Sequence, residues 1–131
     1  MSNPADYDPS IPAAQIRETS DGLVVLGGQI ALQLLGGSRL SFVEEAWCVI
    51  SNCQMLLSEN GLDWSNVLRM TVYLTDLGDR PHLDRILLVT LSEPYPVRSV
   101  VEVTRLARGA AVEIELTASR TVLQGHPSSL A

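Results

Sequence analysis

The segment from Ala111 to Val122 alternates with a period of two. Val112, Ile114, Leu116 and Ala118 fall on one side, and Glu113, Glu115, Thr117 and Ser119 on the other. Such a pattern is a β-strand with one face against a core and the other left open. Slipping it by one residue would turn every apolar side chain outward, so the strand carries its own register. The chain must therefore build a sheet covered on one side.

Two segments have helical spacing and supply the cover. Ser41 is a good N-cap and Glu44 completes a capping box. Apolar residues then recur at 42/43, 46, 49/50, 53 and 56/57 until Asn60-Gly61 ends the run. Asp79 is the expected cap of a second helix, with Pro81 in its first turn and Leu83, Ile86, Leu87 and Leu91 as its apolar stripe. Glu93-Pro94-Tyr95-Pro96 stops it. Trp47 reads as a core residue of the first helix, and Trp64 as an anchor of the loop before the next strand.

Further strands are expected at Gln15–Glu18, at Leu23–Leu26, at Val67–Thr75 and at Ser99–Thr104. Gly27-Gly28 interrupts the second of these as a bulge or a close backbone approach, and Gln29–Leu35 continues it. In Val67–Thr75, the residues Leu68, Met70, Val72 and Leu74 form one face, and Arg69, Thr71, Tyr73 and Thr75 the other. Arg105–Ala110 is expected to be a hairpin loop, with Glu102 and Arg105 ion-paired beside it. The resulting order, β-β-(β)-α-β-α-β-β, is an α+β fold with two helices on one face of a mixed sheet. The open face is half apolar, which points to self-association, with three-fold closure one way to satisfy it.

A chain of 131 residues fits one domain, with residues 1–10 as an N-terminal arm and 124–131 as a frayed tail. All nine basic residues are arginine, and the formal net charge is −6. Without lysine there is no Schiff-base chemistry and no P-loop. A pI near 4.7 argues against nucleic acid as a partner. Cys48 and Cys53 lie five apart on a helix, cannot pair, and suit a reducing cytoplasm as small apolar residues. His82 reads as a surface residue, and with His126 far away no metal site is expected. No apolar run is long enough to cross a membrane as a helix, and Met1–Ser10 lacks the features of a secretory signal. A cytoplasmic protein is expected.

Three features could carry chemistry. Arg98 opens a strand, where a guanidinium can clamp a carboxylate with two parallel hydrogen bonds; the plain alternative is a solvated surface arginine. Glu113 and Glu115 share one strand face, where a carboxylate can activate water; the alternative is a solvated face. Gly27-Gly28 could offer backbone groups to a ligand or be a simple bulge. Taken singly, none of these identifies a function.

Together they do more. The stretch Pro96-Val97-Arg98-Ser99-Val100-Val101-Glu102-Val103-Thr104-Arg105-Leu106, followed by Val112-Glu113-Ile114-Glu115-Leu116, resembles the C-terminal motif of the reactive intermediate deaminase (Rid, YjgF-like) family. Gly28-Gln29-Ile30 is similar to that family's glycine-glutamine element, and the run from Asn60-Gly61-Leu62 to Thr75-Asp76-Leu77 to its helix–loop–strand pattern. The resemblance spans roughly residues 11–121. It implies a chorismate-mutase-like fold and a homotrimer whose sheets form a central barrel, with sites in the clefts between subunits. It also implies cofactor-free hydrolysis of imines and enamines to a keto acid and ammonia, on a small carboxylate substrate. By position, Arg98 matches the arginine that binds the substrate carboxylate, Glu113 the carboxylate that handles the hydrolytic water, and Gly28 the glycine whose backbone faces the substrate.

Four pocket positions depart from the family pattern. Ala14 stands where many members have tyrosine, Asp84 where they have asparagine, Val100 where cysteine is frequent, and Gly27 where serine precedes the matched glycine. These changes point to a divergent member with an altered or larger substrate. Two other readings of the same cleft are a non-catalytic trimer that binds a small carboxylate, and a tautomerase or lyase using Asp84 and Glu113 as acid and base.

Overall fold

The computed structural model describes residue 10 and residues 12–31 and 40–121. Its strands are β1 (Ile16–Glu18), β2 (Leu23–Gln29), β3 (Val67–Leu74), β4 (Val97–Glu102) and β5 (Val112–Ser119). Its helices are α1 (Phe42–Glu59) and α2 (Arg80–Thr90). The expected continuation of β2 to Leu35, most of the arm, and the tail with His126 fall largely outside the described residues. The strands form one sheet in the order β1-β2-β5-β3-β4. All pairings are antiparallel except β3 with β4, which are parallel and joined by α2 as the crossover.

The alternating strand β5 lies at the centre of the sheet, as one covered face requires. Val112, Ile114, Leu116 and Ala118 are all buried, and meet Val24 and Leu26 of β2 and Met70, Val72 and Leu74 of β3. Over them lie Ala46, Val49, Ile50, Cys53 and Leu57 of α1, and Leu83, Ile86 and Leu87 of α2. Burial pushes the Cys53 thiol up to about 12, so it stays protonated and unreactive. Cys48 is unpaired as well. Among the described residues no helix is long and apolar enough to cross a membrane.

The cap of α1 forms as its residues dictate. Glu44 N donates to Ser41 Oγ at 3.2 Å, and Ser41 N donates to Glu44 Oε1 at 3.0 Å. One turn in, Glu45 is buried and its Oε2 accepts from the amides of Ala111 at 2.7 Å and Val112 at 3.3 Å. This carboxylate fastens the start of α1 to the start of β5, and the positive end of the helix favours its charge.

Five local expectations are corrected. Asp79 makes no side-chain cap; Asp76 caps a short 3-10 turn (Leu77–Asp79) that runs straight into α2. Leu68 is partly exposed because a bulge between Val67 and Arg69 shifts the register there. Trp47 is 43% exposed, since the core side of α1 is filled by Ala46, Val49 and Ile50. The loop after β4 is no hairpin: β3 already occupies that edge of β5, and residues 103–111 pass over the end of β3. There Val103 N donates to Leu74 O at 2.8 Å and Thr75 N to Ala111 O at 3.2 Å. Glu102 forms no ion pair with Arg105; its Oε1 accepts from Leu77 N at 3.0 Å. Trp64 does pack against the core, as expected of a loop anchor, and His82 is exposed.

Two substitutions separate these contributions. Ser41→Ala should cost about 1 kcal/mol, the usual value of a helix cap. Glu45→Ala should cost about 2–3 kcal/mol, because two backbone amides lose a charged acceptor. Denaturant midpoints at matched protein concentration give the comparison, and an equal loss from both changes would contradict the role assigned to Glu45.

Candidate active site

The open face of the sheet holds the first group of residues. β2 carries one extra residue between Leu26 and Gln29, so its ladder with β5 bulges at Gly27-Gly28. Gly28 comes so close to Glu113 that a Cβ there would lie 2.9 Å from the carboxyl carbon. Glycine is needed at this point for the carboxylate to lie across β2. Glu113 pairs with Tyr73 across the β3–β5 ladder, and the Tyr73 hydroxyl donates to Glu115 Oε1 at 2.7 Å. Partial burial pushes the Glu113 carboxyl above its ordinary range, and the charge of Glu115 pushes it the same way. The Tyr73 hydroxyl is also pushed up, first by its hydrogen bond to Glu115.

The β1 side of this group is tied by two glutamines. Gln29 Nε2 donates to Gln15 Oε1 at 3.1 Å and to Gly27 O at 3.0 Å, and Gly27 N donates to Gln15 O at 2.8 Å. Exposed Ala14 is thereby held beside Gly27: its carbonyl oxygen lies 3.7 Å from where a Gly27 Cβ would be.

Arg98 belongs to a second group on the other face. In the parallel ladder it pairs with buried Met70, and Val100 pairs with Val72, so both side chains lie on the helix side of β4. Val100 packs against the core. Arg98 Nη1 donates to Asp84 Oδ1 on α2 at 2.5 Å, and Asp84 Oδ2 lies 3.8 Å from Arg80 Nε, one helical turn earlier. Asp84 thus faces Arg98.

Within one chain, then, Ala14, Gly27, Gly28 and Glu113 come together, and Asp84, Arg98 and Val100 come together, but the two groups are on opposite faces. Two strand spacings, roughly 10 Å, also separate β4 from β5. A cleft of about 800 Å³ opens elsewhere, where β3 ends and β5 begins, lined by Phe42, Glu45, Thr75, Arg105 and Ala111. None of the expected site residues lines it, and its one buried carboxylate is bonded to the Ala111 and Val112 amides. Among the described residues no cluster of His, Cys, Asp or Glu is placed to hold a metal ion.

Sequence reasoning did not single out Tyr73, the Gln15–Gln29 pair or Arg80. Tyr73 was within reach, because its face of β3 and the glutamate face of β5 have the same periodicity. The four-residue spacing of Arg80 and Asp84 was also visible. The glutamine pair depends on the β1–β2 pairing and had no local mark.

The Endoribonuclease L-PSP family profile matches residues 12–120. A RutC family protein, y4sK, of Sinorhizobium fredii is 36% identical over 112 residues, which span 84% of this chain and 88% of that protein. A mouse protein named 2-iminobutanoate/2-iminopropanoate deaminase is 32% identical over 117 residues, covering 88% of this chain and 84% of its own length. Among solved structures, RidA from an Antarctic Psychrobacter is similar with a TM-score of 0.74 and 30% identity, over 82% of this chain and 88% of that one. The YjgF gene product of E. coli, at 24% identity and a TM-score of 0.71 over 84% of this chain and 89% of that one, shares the fold. Sheet, covering helices and matched profile agree: the chain belongs to the Endoribonuclease L-PSP family, the Rid/YjgF group of chorismate-mutase-like α+β proteins.

Proposed function

We propose that this chain is a cofactor-independent hydrolase of reactive imines and enamines, releasing ammonia and a carbonyl product. It works as a homotrimer whose clefts join the Arg98 face of one subunit to the Glu113 face of the next. The observation that carries this reading is the two-sided layout: Arg98 and Glu113 lie on opposite faces of one sheet, so a substrate that needs both groups has to lie between two chains. Relatives named as imine deaminases support it, including the mouse and human proteins. The half-apolar open face supports association, with Leu23, Val25 and Val101 partly exposed beside Tyr73 and Glu113.

The chemistry asks little of the protein. Arg98 holds the far end of the substrate, and Glu113 orients a water toward the C=N carbon. The water oxygen bonds to that carbon while Glu113 takes a proton. That proton goes to nitrogen, giving a carbinolamine; the hydroxyl proton then passes to nitrogen through Glu113, the C–N bond breaks, ammonia leaves and C=O forms. An enamine first takes a proton on carbon and becomes an imine. Gly28 leaves room for the carboxylate that does this work.

Ammonia release from freshly generated imines, acidic and neutral, should exceed the spontaneous rate; no acceleration across such a panel overturns the proposal. Glu113→Gln should lower kcat by about 10²-fold or more. Arg98→Ala should act mainly on KM. Assayed at substrate far below KM, where both variants are impaired, trimers containing both should each recover about a third of normal activity, because each mixed ring contains one cleft with both groups intact, and a random equimolar mixture about a quarter. No recovery in mixed trimers would place the two residues in separate functions.

The raised Glu113 carboxyl sets the acid limb of the rate profile above the ordinary carboxylate range, since only the deprotonated form accepts a proton from water. Glu115→Gln should move that limb to lower pH, because it removes one of the two causes of the shift. Gly28→Ala should leave stability nearly unchanged, since the Glu113 side chain can swing aside, yet it should lower kcat. Thermal melting beside kinetics separates the two effects.

A further inference from the structure

Arg98 is already bonded to a carboxylate of its own chain. Asp84 Oδ1 takes one N–H at 2.5 Å, and among the described residues no other group bonds the guanidinium, so its remaining N–H groups are available. Both side chains remain reachable, at 25% exposure for Arg98 and 40% for Asp84. Arg80 does not cancel the Asp84 charge, since its Nε is 3.8 Å away and its side chain is more than half exposed, where water screens it.

A free carboxylate arriving at Arg98 would meet a like charge on the same guanidinium. A primary carboxamide would not. Its C=O accepts from an open N–H of Arg98, and its NH₂ donates to Asp84, whose two oxygens have acceptor sites beyond the one that Arg98 uses. The pair offers a donor and an acceptor side by side, and no second negative charge has to be desolvated.

We infer that Arg98 and Asp84 together select substrates whose anchored end is neutral and has both donor and acceptor, a primary carboxamide, over those ending in a free carboxylate. Asp84 is the specificity-determining residue. The inference rests on the proposed function only in placing the substrate's far end at Arg98.

The test compares the full-length protein with Asp84→Asn and Asp84→Ser on two imines, formed from ammonia with 2-oxobutanoate and with 2-oxobutanamide in dry solvent and diluted into buffer just before assay. The unmodified protein should favour the amide in kcat/KM by about tenfold or more, and both variants should reverse that order. A preference for the acid in the unmodified protein, or a ratio unmoved in both variants, overturns the inference and leaves the deaminase reading standing. If no imine is hydrolysed, the deaminase reading fails and binding decides instead. Titration with 2-oxobutanamide and 2-oxobutanoate should show the same preference and the same reversal, and equal affinities would overturn it.

Discussion

Each alternate side chain of β5 serves one of two purposes, and the backbone between them permits no exchange. Val112, Ile114 and Leu116 lie in the core, and burying each of them stabilises the fold by about 1.5–3 kcal/mol relative to exposure. Glu113 and Glu115 lie between them on the opposite face. The position of the carboxylates is therefore guaranteed by the burial of their neighbours, and a sheet that folds at all presents them on the open side. Glu45 strengthens the arrangement by tying α1 to the first residue of the same strand.

The same logic explains what could be read from residue order. The cap of α1 and the faces of β5 are local, each decided by residues within a few positions of one another, and both formed as expected. Leu68 and Trp47 were misplaced because their environment depends on distant partners: a bulge against β5 in one case, the filling of the core by α1's other residues in the second. The supposed hairpin failed for a topological reason. Nothing near Arg105 says that β3 will stand between β4 and β5. The face of Arg98 was hidden for a related reason, since Val97-Arg98-Ser99-Val100-Val101-Glu102 does not alternate and its sidedness comes only from parallel pairing with β3. The residue types of the candidate site were legible as a motif, but their separation onto two faces was not.

The exclusive use of arginine has a structural counterpart. Arg120, just past β5, donates from Nε and Nη2 to the two oxygens of Glu18 at 2.9 and 3.3 Å, and from Nη1 to Asn60 O at 2.8 Å. One side chain thus links the sheet's edge strand to the end of α1. A lysine, with a single ammonium, could not span both partners in a fixed plane. Arg98 uses the same fork differently, keeping part of it open beside Asp84.

The bulge in β2 has an effect beyond the room it makes for Glu113. Before it, the even-numbered residues Val24 and Leu26 point into the core; after it, Gln29 stands opposite Ile114 and Ala31 is the buried residue. One inserted residue has inverted the parity of the chain. A one-residue deletion at Gly27-Gly28 would leave the ladder intact up to Leu26 and turn Gln29 and Ala31 to the other side of the sheet. The glycine pair is thus a phase shifter, and it decides which side chains at the end of β2 meet the core.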